Sequence, residues 1–79
     1  MIEKQLKEET ERWLVKAKAK RKQIKLPDKS KEGMLKNIDA YISDTEHFMK
    51  KGDLIRAFEA IIWTWSWIEI LEELKVIET

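Results

Sequence analysis

Proline and glycine together supply only three residues of this chain, and two of them, Pro27 and Gly52, divide it into three segments of nearly equal length. Pro27, in Lys25-Leu26-Pro27-Asp28, lacks an amide proton and pushes the residue before it out of the helical region, so a helix has to end ahead of it. Asp28 or Ser30 can then cap the helix that follows. Gly52-Asp53 is the second break. Glycine accepts the left-handed C′ conformation that closes a helix, and the aspartate after it can accept amide protons as an N-cap. The intervening segments cover about residues 2–24, 29–51 and 54–77. Each spans roughly 34 Å at helical rise, and equal lengths with short connections favour antiparallel neighbours.

Hydrophobic spacing agrees with helices throughout. The first segment carries Ile2, Leu6, Trp13, Ala17 and Ile24 on one narrow stripe. The second carries a broader one: Met34, Leu35, Ile38, Tyr41, Ile42, Thr45, Phe48 and Met49. Both follow the three-and-four spacing of an amphipathic helix, and no stretch alternates long enough for a strand. The third segment has two stripes on nearly opposite sides. Leu54, Phe58, Ile61, Trp65 and Ile68 form one; Trp63, Trp67, Ile70 and Leu74 form the other. That is more apolar arc than a helix with two neighbours needs, so it is either the central helix or a helix with a further partner. The pattern predicts an all-α, antiparallel three-helix bundle forming a single domain over residues 1–79.

Size and composition set the remaining bounds. A chain of 79 residues supports one modest core, and domains this short bury only about 60% of the surface their unfolded chains expose. With no cysteine, neither a disulfide framework nor a thiolate metal site is available. The charged N-terminal stretch is not a secretory signal, and the longest apolar-rich run, Ala60 to Leu71, is interrupted by Glu69 and is too short to span a bilayer. A cytoplasmic protein without membrane association is the simplest expectation. Enrichment in Lys and Glu, with charged residues at 39% of the chain, matches the composition of thermophilic proteins.

Charge is unevenly distributed. Between Lys16 and Lys36 the basic residues are opposed only by Asp28 and Glu32, whereas acidic residues predominate from Asp53 to Thr79. That asymmetry can hold the two regions together or offer a landing site to an acidic partner. The run Lys16, Lys18, Lys20, Arg21, Lys22 and Lys25 is its densest part. No aromatic residue interleaves it as a stacking platform, and its single arginine limits bidentate reading of phosphate or base edges. A solvated helix end is the plain reading, and weak, sequence-independent nucleic-acid contact the functional one.

Catalytic and metal chemistry find little to work with. Asp44 and His47 stand three apart and can share a helix face, but His47 is the only histidine, and bundle metal sites recruit several carboxylates from facing helices. Structural pairing of Asp44 with a group on a neighbouring helix is expected instead, without metal. Serines and threonines lack a base to activate them, and no glycine-rich loop offers a phosphate or oxyanion cradle. The chain reads as a non-enzyme needing no cofactor.

From Tyr41 to Trp67 the sequence runs YISDTEHFMKKGDLIRAFEAIIWTWSW. It resembles the short archaeal family known as domain of unknown function 357, marked by a Tyr-x-x-Asp-x-x-x-Phe helix, a Lys-Gly-Asp turn and an Ala-Phe-rich helix with tryptophans. The matching positions are Tyr41, Asp44, Phe48, Lys51, Gly52, Asp53, Ala57, Phe58 and Trp65. The resemblance implies a compact helical bundle of archaeal origin, with these residues in structural roles, and implies no activity.

The functional expectation therefore rests on the third segment. Trp63, Trp67, Ile70 and Leu74 form a candidate interaction surface, for a homodimer or for another protein, since tryptophan is enriched where interfaces derive most of their energy. Alternatively, the first helix could tilt across that stripe and plug it with Trp13. The basic run supplies the second candidate, a nucleic-acid contact.

Overall fold

A computed structural model describes residues 1–79 as three helices: α1, Ile2–Gln23; α2, Glu32–Lys50; and α3, Leu54–Glu73. A single 3-10 turn, Lys29–Lys31, precedes α2. The helices form an antiparallel bundle 43 × 17 × 17 Å in extent. α3 is the central member: it packs most extensively on α2 and next on α1, while α1 and α2 meet little. Two neighbours thus cover the first apolar stripe of the third segment, while Trp63, Ile70 and Leu74 of the second stay exposed.

The breaks follow from local chemistry. α1 ends when Ile24 turns extended, three residues ahead of Pro27. Asp28 then accepts from the Ser30 amide at 3.0 Å and its hydroxyl at 2.7 Å, which together hold its carboxyl below the usual range. At the second break Gly52 adopts φ +75°. Its amide donates to Met49 O at 3.1 Å and the Asp53 amide to Phe48 O at 2.9 Å, the paired bonds of a Schellman motif. Asp53 caps α3 by accepting from the Arg56 amide. Glycine and aspartate act here as their residue types predict.

The C-terminus departs from expectation. Instead of continuing to residue 77, α3 stops at Glu73, and Lys75 takes the left-handed conformation at φ +59°. The Lys75 amide bonds Glu72 O and the Val76 amide bonds Leu71 O, a second Schellman closure formed without glycine. The helical register explains the turn. Ile77 lies four residues after Glu73 and seven after Ile70, both exposed, so a continuous helix would point it at water. Turning the chain instead leaves it only 3% exposed, in a cluster with Ile38, Ile42, Ile68 and Leu71. Burying an isoleucine contributes about 1.5–3 kcal/mol, enough to offset the roughly 1–2 kcal/mol strain of a left-handed non-glycine residue.

Outside that cluster the buried interior is Ile61 together with small side chains. Ala17, Ala57, Thr10, Thr45 and Thr64 are fully buried, with Ala60 nearly so. Each threonine hydroxyl donates to the carbonyl four residues back in its own helix: Leu6, Tyr41 and Ala60 respectively. Satisfied in this way, the hydroxyls need no partner across the core. The contact face of α1 differs from the stripe read in the sequence. Ile2 is 80% exposed, and Leu6, Thr10, Leu14, Ala17 and Ile24 line the inner side.

Candidate interaction surface

The second apolar stripe of α3 remains largely uncovered. Trp63 is 54% exposed, Ile70 49% and Leu74 66%. Spacings of three, four and seven put these three on one outer strip with Trp67. Trp67 itself is half-buried against the Ile-rich cluster, so it seats the strip on the core rather than forming its outer edge. Trp63 stacks on Tyr41 of α2, with centroids 6.4 Å apart and planes 17° from parallel, which fixes one indole face and leaves the other to solvent.

Trp13 does not plug this strip. It lies on the other side of α3, edge-on to Trp65 at 5.7 Å and 78°. The Trp65 indole donates to Trp13 O at 3.2 Å, and the Trp13 indole to Glu9 at 2.6 Å. The three alternating tryptophans of α3 thus meet different surroundings, as positions two apart on a helix must. A groove of about 310 Å³ opens beside this pair, lined by Glu9, Phe58, Ile62 and Glu69 among others. Sequence reading did not single out Glu9, Ile62 or Glu69; the four-residue Glu9–Trp13 spacing was the available signal.

The basic run is partly committed within the fold. Lys18 pairs with Glu46 at 2.7 Å, and Arg21 grips Asp39 through Nε at 2.7 Å and Nη2 at 3.2 Å. Lys20 approaches Glu72 at 3.2 Å and the Thr79 hydroxyl at the same distance. Lys16 lies 4.8 Å from the Trp13 ring centroid. Lys22 and Lys25 are exposed without a carboxylate partner. Three of the six basic residues thus meet carboxylates of the neighbouring helices, two on α2 and one on α3.

Asp44 requires a correction. It is exposed, with no hydrogen bond or ion pair to a neighbouring helix. On the wheel of α2 it stands about 120° from the buried line of Ile38, Ile42 and Thr45, beyond Phe48, and so faces water. His47 is also exposed, packing edge-on to Phe48 at 5.5 Å. No group of three or more His, Asp or Glu side chains gathers in the arrangement that would hold a metal ion. Of the other family-motif residues, Ala57 is buried, Tyr41, Phe48, Asp53, Phe58 and Trp65 are half-buried, and Lys51 and Gly52 are exposed at the turn. No helix is long and apolar enough to cross a membrane.

Fold and surface together define a small all-α bundle whose most distinctive external feature is one apolar helix face. The chain belongs to the family described as "Protein of unknown function (DUF357)", whose model matches residues 4–77. It is similar to a family member from Archaeoglobus fulgidus solved by crystallography, at 41% identity and a TM-score of 0.90, over 99% of this chain and 97% of that one. Comparison with curated proteins gave no match.

Proposed function

We propose that this protein is a non-catalytic helical interaction module that self-associates through the outer strip of α3. The observation that carries the reading is the exposure of Trp63, Ile70 and Leu74 on a helix whose two neighbours are already in place. A two-fold axis would let one strip serve both copies. Burying about 400 Å² across two copies contributes on the order of 10 kcal/mol, against an association cost of roughly 4–15 kcal/mol. Self-association of this size is weak. Amide and indole NMR shifts recorded from micromolar to millimolar protein test it. The expected changes concentrate at the Trp63 indole and at Ile70 and Leu74; concentration-independent spectra refute the reading.

Nucleic-acid contact through the basic run has less support. Lys18, Lys20 and Arg21 already meet Glu46, Glu72 and Asp39, so binding phosphates would first have to break those pairs. Salt separates the two readings, because phosphate contacts weaken steeply as salt rises whereas apolar association does not.

A further inference from the structure

We propose that the groove between α1 and α3 binds a small organic cation, an ammonium or amidinium group on an apolar body. Its volume of about 310 Å³ lies at the lower edge of the roughly 300–1,000 Å³ range of small-molecule pockets. Trp13, Phe58, Ile61, Ile62 and Trp65 provide the apolar lining.

The polar inventory of the groove selects for positive charge. Both indole N–H groups are spent internally, Trp65 on the Trp13 carbonyl and Trp13 on Glu9. What the tryptophans offer a ligand is ring surface, which attracts cations. Lys16, outside the groove lining, already stands over the Trp13 ring at 4.8 Å, so the ring surface left to a ligand is that of Trp65 and Phe58. The remaining polar side chains are two carboxylates and the Ser66 hydroxyl, and no basic residue lines the groove. Glu9 is engaged by Arg12 and Trp13, whereas Glu69 has neither hydrogen bond nor ion pair. Glu69 is therefore the carboxylate free to meet the cationic head, with the aromatic rings beneath the body. An anion or a neutral acceptor finds only the serine as a side-chain donor.

Benzylammonium and benzyl alcohol, which share a body and differ in charge, make the test. Titrations are followed by NMR at the four tryptophan indoles. The site predicts saturable shifts at Trp13 and Trp65, little at Trp63, and the cation at least about fivefold tighter than the alcohol. Glu69→Gln, an exposed substitution that keeps helix propensity, should erase most of that preference and leave alcohol binding unchanged. Ile62→Trp should fill the groove and weaken both ligands. Equal affinity for cation and alcohol, retained preference in Glu69→Gln, or no saturable shift at Trp13 and Trp65 overturns the proposal. Self-association through the outer strip is independent of each of these outcomes.

Discussion

The amide of Lys25 donates to Glu78 O at 2.7 Å, and the Glu78 amide returns a bond to Lys25 O at 2.9 Å. This antiparallel bridge ties the α1–α2 connection to the chain beyond α3, holding Ile77 in the core. Ile77→Ala should cost about 2–4 kcal/mol, because the surrounding isoleucines cannot fully close the cavity. Chemical denaturation gives the loss, and hydrogen exchange should show protection at Lys25 and Glu78 falling with it. Wild-type stability in this variant would mean that the tail is not part of the core.

Gly52 and Lys75 share a conformation but not a residue type. A Cβ at Gly52 would meet nothing within 4 Å, so the cost of replacing it comes from φ alone. Gly52→Val should destabilise by about 2 kcal/mol in thermal or denaturant melts, since a β-branched residue is strained at positive φ.

Lys75 predicts the opposite sign. Lys75→Gly relieves the left-handed strain at an exposed position, and should stabilise by a few tenths to about 1 kcal/mol despite glycine's greater freedom when unfolded. A loss of stability in this variant would show that the lysine makes a compensating contact.

Glu72 gives the fold a modest acid sensitivity. The Thr79 hydroxyl and then Lys20 hold its carboxyl below the usual range, against an opposing push from burial. A carboxyl depressed in the folded state stabilises above its unfolded pKa, and that contribution disappears as pH falls through the folded value. Glu72→Gln should therefore lower stability at neutral pH by a fraction of 1 kcal/mol, as partly exposed pairs do. Below the folded pKa the variant and wild type should converge. A difference that persists in acid would remove the ionic explanation.

Residue types that act locally were legible in the sequence. Pro27, Gly52 and Asp53 mark breaks because proline geometry, positive φ and capping need only neighbouring backbone. The breadth of the apolar arc on α3 left two readings open, a central helix or a helix with a further partner, and the packing of α3 on both α1 and α2 gives it the central place. What escaped was long-range. The turn at Lys75 depends on where Ile77 can be buried, and that is decided by residues such as Ile38, far away in sequence. Thr10 reads as polar, but its hydroxyl is satisfied within its own helix, which frees it to sit at the centre. Asp44 was expected to find a partner because it borders the apolar stripe of α2, yet a further step around the wheel leaves it in water. The α1–α3 groove arises only when Trp13 and Trp65, remote in sequence, pack edge to face.

Sedimentation equilibrium of the wild type beside an Ile70→Glu, Leu74→Glu double variant tests the central claim most directly. Both positions are about half exposed or more, so the variant should keep its helical circular dichroism and cooperative melt. The account predicts that wild-type apparent mass rises with concentration towards that of two chains, while the folded variant stays at one. A wild-type protein that remains at the mass of a single chain up to millimolar concentration, or a variant that associates equally well, would contradict it.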